Sequence, residues 1–325
     1  MKNYLNSFTS IFFMIYFISC EMQEIPISPH EPGDIVTQQI VLEQDYKNQV
    51  FYNLKNNSIV RDNIKTDWDL GFIIHNNQDF IILNSSTFMQ VALVNTVGFE
   101  EITSINNLEW QWDNPSGIEY GTEISYDSTS NNIYIVDRGY LLNGNKRGYK
   151  KFMIQEVNNN YYKIRYADLD NSGDTVIQIN KENEISFISY SFNIDDKISV
   201  FPESNTWDLL FTQYTEFFSD TTAPAYLVTG VLINYLNNVL VALDTISQFD
   251  QITIEMINNY NFSNKQNEIG YNWKVFDLEN NLYSINNSMI YIIRDVDGRY
   301  FKMRFIDFYN DFGEKGYPKF EVQEL

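Results

Sequence analysis

Two widely separated motifs in this chain recur at the same spacing. Trp68-Asp69-Leu70 returns as Trp207-Asp208-Leu209, and Phe72 as Phe211, 139 residues later. The same 139 residues separate Tyr161 from Tyr300, Lys163 from Lys302, Arg165 from Arg304 and Asp168 from Asp307. With one residue of slippage, Val50, Tyr52 and Leu54 match Ile188, Tyr190 and Phe192. The 325-residue chain therefore reads as a tandem duplication of a unit of about 140 residues, a length that can bury a core of its own. The expected organisation is a first unit over 34–175 and a second over 176–325.

Inside each unit the pattern is that of strands. Val50, Tyr52 and Leu54 fall on one face of a period-two alternation. Residues 152–155, Asn158-Asn159-Asn160 and residues 161–166 read as strand, turn, strand. Residues 291–294, 295–298 and 300–305 read the same way, and Asp297-Gly298 suits the positive φ of a type I′ turn. Phe, Tyr and Trp number 24, 23 and 5, which favours strands throughout, and residues 249–258 are the one helical candidate. The predicted fold class is all-β, with two tandem antiparallel β domains.

The start of the chain is different. After Met1-Lys2 comes an apolar run over 8–18, too short to cross a ~30 Å hydrocarbon layer as a helix. It has the length of a signal-peptide core. Ser19-Cys20 behind it reads as a lipoprotein cleavage site. Residues 1–19 would be the signal peptide, and the single Cys of the chain, Cys20, would carry the lipid. Residues 20–33 hold Pro26, Pro29 and Pro32 and read as a tether, with His30 solvated in it. No other run is long and apolar enough to span a bilayer, so lipid is the expected link to the membrane.

Charge and composition exclude several functions. Lys and Arg total 22 against 43 Asp and Glu, a net charge of −21, which repels nucleic-acid phosphates. One Cys rules out an internal disulfide and a Cys-based metal knuckle. Two His leave no His-rich metal site and no Ser-His-Asp arrangement. A Gly-rich phosphate loop is also missing, so no enzyme activity is expected. Asp168, Asp170, Ser172 and Asp174 have the spacing of oxygen ligands at the start of a calcium loop. Ile179, however, stands where such a loop needs Glu, and a polar turn is the other reading. The repeated motif reads as structural. Trp68 with Leu70, and Trp207 with Leu209, would share a face, while Asp69 and Asp208 bind backbone N–H groups or an arginine. Arg165 and Arg304 are the candidate cross-strand partners.

These residues together resemble a known family. The lipoprotein start, the Trp-Asp-Leu-x-Phe motif and the closing strand–Asp-Gly–strand with Tyr300-Phe301-Lys302-Met303-Arg304-Phe305 are similar to HmuY proteins, lipid-anchored β-proteins of Bacteroidetes. Tyr226-Leu227-Val228-Thr229-Gly230-Val231-Leu232 and Gly313-Glu314-Lys315-Gly316-Tyr317 extend the likeness through the second unit. The first unit matches at Trp68-Asp69-Leu70-Gly71-Phe72 and in its 152–168 hairpin. The resemblance implies an all-β fold, a place at the outer membrane facing the surface or the periplasm, and haem capture for an outer-membrane receptor. It also implies two axial ligands to haem iron, two His in the best-known case. Here the second unit has no His, and the first offers His75 alone. Met89, Met153, Met256, Met289 and Met303 are further sulfur donors that no motif singles out. The expected function is a non-catalytic, lipid-anchored binding protein, possible ligand haem. The alternative is a glycan- or protein-binding lipoprotein that kept the fold and lost haem ligation.

Overall fold

The aromatic, β-branched composition is expressed as paired strands in the computed structural model, which describes residues 31–75, 78–126, 131–181, 187–218 and 224–325. Cys20, His30 and the expected signal peptide lie outside these residues. The strands of the first stretch are β1 (Val36–Gln39), β2 (Asn48–Asn53), β3 (Ser58–Ile64), β4 (Leu70–His75), β5 (Gln78–Leu83), β6 (Gln90–Val94) and β7 (Ile133–Asp137). They are followed by β8 (Tyr149–Val157), β9 (Tyr161–Ala167), β10 (Thr175–Asn180), β11 (Phe187–Ser191) and β12 (Asp196–Ile198). The rest are β13 (Leu209–Phe217), β14 (Ala225–Ile233), β15 (Leu240–Asp244), β16 (Lys274–Asp277), β17 (Leu282–Ile285), β18 (Ile290–Arg294), β19 (Tyr300–Tyr309) and β20 (Lys315–Glu324). The helical candidate at 249–258 is two short 3-10 turns, Phe249–Gln251 and Ile254–Asn259. Among the described residues no helix is long and apolar enough to cross a membrane.

The pairing crosses the repeat boundary. One five-stranded sheet runs β10-β9-β8-β7-β6 and faces the four-stranded sheet β12-β11-β4-β5. The other runs β1-β20-β19-β18-β15 and faces β14-β13-β2-β3. Strands β4 to β12 thus form a continuous inner unit. The outer unit combines β1–β3 with β13–β20, and the inner unit is inserted between Ile64 and Leu209. Each repeat lends its first three strands to the other: β2 pairs with β13, and β11 with β4. Sequence boundaries at 175/176 therefore cut through both units, and Pro32–Leu325 is one compact body.

Each unit is layered. Phe72, Tyr134, Phe152, Tyr162 and Tyr166 fill the space between the inner sheets, and Tyr52, Phe211, Tyr291, Phe305 and Phe320 fill the outer. Loops cover the far face of each five-stranded sheet, burying Phe99, Ile133 and Ile135 in one unit and Phe249, Ile290 and Ile292 in the other. Covered on both faces, β7 (Ile-Tyr-Ile-Val-Asp) and β18 (Ile-Tyr-Ile-Ile-Arg) are unbroken apolar runs rather than alternating ones.

Sheet order corrects the hairpin match. From its starting edge one sheet runs β6, β7, β8, β9 and the other β15, β18, β19, β20. β19 therefore corresponds to β8, not to β9. Lys302 Nζ donates to Ile252 O at 2.9 Å over the Phe249 ring. Lys151 Nζ makes the same contact with Ile102 O at 2.8 Å over Phe99, while Lys163 is only partly buried. The offset is 139 between β1 and β10 and between β4 and β13, and 138 between β2 and β11 and between β3 and β12. It then drifts, because the outer unit has a longer β13–β14 hairpin and the added β16–β17 hairpin, and a shorter β18–β19 turn. That turn differs from expectation as well. Gly298 has φ +84° and Asp297 has no positive φ, so it is not type I′.

Candidate ligand site between the two units

The Trp-Asp-Leu motif builds the junction between the units. Trp68 precedes β4 and packs edge-on to Phe201 at 5.5 Å, in the cluster shared with Trp207 and Phe51. Leu70, already inside β4, points into the inner core instead, so the expected common face for Trp68 and Leu70 is not formed. Trp68 Nε1 donates to Gln49 Oε1 at 3.0 Å, and Gln49 Nε2 donates to Ser86 Oγ at 2.7 Å.

Asp69 and Asp208 are both fully buried. Asp69 accepts Arg138 Nε at 2.9 Å, Arg138 Nη2 at 3.0 Å and the Phe192 amide at 2.8 Å, and Arg147 Nη2 lies 3.0 Å away. Asp208 accepts two amides, Leu54 at 2.7 Å and Val296 at 3.0 Å. The cross-strand partners expected for them lie elsewhere. Arg165 pairs with Asp174 at 2.6 Å and Glu100 at 2.8 Å, and Arg304 with Glu321 at 2.7 Å. Arg138 and Arg147 were missed because they sit in a hairpin whose repeat partner has neither.

The calcium-loop candidate is a turn tied by cations of the protein. Asp168 holds Lys150 at 2.8 Å, Asp174 holds Arg165, and Asp170 accepts the Ser172 amide and hydroxyl at 2.9 and 2.6 Å. Ser172 Oγ also lies 3.4 Å from Asp168 Oδ2, so Asp168, Asp170 and Ser172 are linked to one another while Asp174 turns to Arg165. Among the described residues no three His, Cys, Asp or Glu are placed to hold a metal ion.

A cavity of about 60 Å³ lies at the junction, walled by Trp68, Phe187, Phe201, Leu210, Tyr214 and Tyr235. Residues 113–122 of the inner unit strap it. Asp113 anchors the strap by accepting the Leu83 amide at 2.7 Å and the Glu123 amide at 3.0 Å, and burial pushes its carboxyl up to about 6. Ile118 N–H donates to Tyr235 Oη at 2.9 Å. Gly117, at φ +108°, lies on that ring so closely that a Cβ would come within 2.7 Å of it. Beyond this point the strap is held by polar contacts: the Gln266 amide to Ser116 O at 3.0 Å, Ser116 Oγ to Asn267 at 3.2 Å, and Asn264 Nδ2 to Glu119 at 2.8 Å.

His75 ends β4 beside this strap, its Nε2 3.8 Å from Glu119 Oε1 and its side chain 22% exposed. Of the sulfur donors, Met89 and Met303 are sealed in the two cores, while Met153, Met256 and Met289 are half-buried. No described pair of His or Met side chains stands opposed across the cavity, and the cavity is far below the ~300–1,000 Å³ of pockets that enclose drug-sized ligands. Haem between two axial ligands does not fit this arrangement.

Comparison with known proteins gives the lineage. The HmuY protein family model matches twice, over residues 45–183 and 181–322. The chain belongs to the HmuY family. No curated protein matches it. Among solved structures, a candidate HmuY-like heme-binding protein from Bacteroides vulgatus is 14% identical, covering 53% of this chain and 89% of that one at a TM-score of 0.25. The apo HmuY analog of Tannerella forsythia is 10% identical, over 91% of this chain and 98% of that one, at 0.26. Apo PinO from Porphyromonas gingivitis is 8% identical, over 90% and 97%, at 0.27. The two HmuY matches meet at 181–183, the end of β10, and coincide with the sequence repeats rather than with the inner and outer units.

Proposed function

We propose that this chain is a lipid-anchored HmuY-type binding protein of the outer membrane, attached through Cys20, which captures a flat, haem-class ligand at the junction mouth for an iron-acquisition receptor. Membership of the HmuY family supports the ligand class. The observation behind this place is His75 Nε2 at 3.8 Å from Glu119, in the strap whose other residues line the aromatic-walled cavity. His75 offers one nitrogen, and releasing Glu119 and Ser116 from their partners opens the wall of Trp68, Phe201 and Tyr235 to a planar ring. Binding is without catalysis in this reading.

Haemin titration of the chain beginning after Cys20, followed by absorbance in both oxidation states, tests it. Saturation near one equivalent is expected, with the five-coordinate spectrum of a single protein nitrogen. His75→Ala should weaken binding by at least tenfold. A broad, non-saturating band would overturn haem capture and leave the glycan- or protein-binding reading.

A further inference from the structure

The backbone frame around the repeated aspartate is built twice. Asp69 N–H donates to Tyr190 O at 2.8 Å, and the Asn84 amide donates to Asp69 O at 2.9 Å. Asp208 N–H donates to Tyr52 O and accepts the Asn234 amide at its own carbonyl, both at 2.9 Å. Phe192 N–H and Leu54 N–H reach the two carboxylates in the same way. The residue just past β7 is Arg138, whose N–H donates to Gly148 O. The residue just past β18 is Asp295, whose N–H donates to Arg299 O. The position that gives Asp69 its guanidinium therefore gives Asp208 a second carboxyl. The shorter β18–β19 turn removes any counterpart of Arg147.

Asp295 is 1% exposed. Its Oδ1 accepts the Arg299 amide at 2.7 Å, and its Oδ2 has no hydrogen-bond partner among the described residues. Arg299 gives Asp295 a favourable charge as well as its amide, and the other charged groups nearby are engaged elsewhere. Asp297 is ion-paired with Lys55 at 2.9 Å, Arg299 Nη1 lies 3.8 Å from Glu324, and Arg294 lies against Gly298. The Tyr52 hydroxyl is pushed up by burial and by Asp208. No described salt bridge places a cation on Asp208 or Asp295.

We propose that Asp208 takes up a proton beside the buried Asp295 and acts with it as a pH-sensitive latch on the N-terminal strands. Asp208 is the node of three segments: Leu54 behind β2, the start of β13, and Val296 in the β18–β19 turn. Protonated, Asp208 keeps the three together. Ionised, Asp208 still accepts the Leu54 and Val296 amides, but as a buried charge without a cation and repelled by Asp295, so the node joining the three segments is weaker than when Asp208 is neutral. Burial raises Asp208 to about 6, with the charges of Asp295 and Asp297 adding to it, and burial raises Asp295 too. The folded-state value of Asp208 lies above its ordinary 3.8, so its stabilisation is full below that value and is lost as pH rises through about 6. The strands released are those that continue the N-terminal tether.

Thermal unfolding between pH 4 and 7.5 tests the latch on the chain beginning after Cys20, with Asp295→Asn and Asp295→Arg beside it. Relative to Asp295→Asn, the midpoint of the unaltered chain should fall as pH rises from 4 to 6 and then level. Asp295→Arg, which copies the inner unit, should raise the midpoint at pH 7.5 and remove the extra pH dependence. Asp113 titrates in all three proteins and cancels. Opening of the Val296 and Leu54 amides, measured by hydrogen exchange corrected for intrinsic rate, should rise about tenfold per pH unit from 4.5 to 5.5, the slope for one linked proton. Identical profiles for the unaltered chain and Asp295→Asn would overturn the proposal. So would a calcium-dependent rise at pH 7.5 that Asp295→Asn abolishes, since a cation would then fill the place of Arg138.

Discussion

Cutting the chain between residues 175 and 176 should yield two fragments that do not fold apart and do fold together. The first fragment keeps β4 and β5 without β11, and β2 and β3 without β13. The second keeps β13 without β2 and β20 without β1. Each loses the central strand contact of both four-stranded sheets, exposing Tyr52 and Phe72 in the first fragment and Tyr190 and Phe211 in the second. At ~25 cal/mol per Å² of apolar area, one such sheet face amounts to several kcal/mol, comparable with the whole ~5–15 kcal/mol of a folded domain. Far-ultraviolet circular dichroism should show disordered fragments that gain strand signal on mixing. A fragment of residues 66–206, which keeps β4 to β12 whole, should fold alone. Independent, cooperative melting of 34–175 would refute the exchanged pairing.

The second large effect concerns Asp69. Asp69→Asn removes the one carboxylate facing two buried guanidiniums, Arg138 and Arg147, whose side chains are 9% and 1% exposed. Breaking a buried ion pair from one side costs about 3–5 kcal/mol, because the remaining charge stays desolvated. Asp208→Asn removes no cation's partner. It leaves one amide, of Leu54 or Val296, without an acceptor, at about 1–3 kcal/mol. Guanidinium denaturation at pH 6 should therefore show a markedly lower midpoint for Asp69→Asn than for Asp208→Asn at similar slope. Equal losses would mean that the arginines find other anions or water. The contrast is informative because the two residues occupy one sequence motif and one backbone frame.

Much of this architecture was legible in the residues. Trp68-Asp69-Leu70 and Trp207-Asp208-Leu209 announced a duplication, and period-two aromatic runs announced strands. Both follow from local chemistry. What was not legible is which strand completes which sheet. A hydrophobic pattern states that a face is buried but not by what, and β2 and β11 carry equivalent patterns, so nothing local shows that they change places. The hairpin register failed for a related reason. Tyr-x-Lys-x-Arg recurs in β9 and β19, which occupy different places in their sheets: Lys302 and Arg304 both lie over Phe249, whereas Phe99 is covered by Arg165 of β9 and Lys151 of β8. Arg138, Arg147, Asp113 and Tyr235 left no signal, since each acts through contacts with distant segments. His75 was legible only as the sole imidazole of the folded region. Its neighbour Glu119 belongs to a strap that has no periodicity to betray it.

The insertion of one unit within the other also sets an order of events for a chain that emerges from its N-terminus. The inner unit has all its strands once residue 198 is available, whereas β1 finds β20 only when the last residues, 315–324, have appeared. The first strand to be made is thus the last to be paired, and during that interval its edges are open to any other strand. A truncation of even the final ten residues would leave the first strand of the protein without its partner, as well as baring one edge of β19.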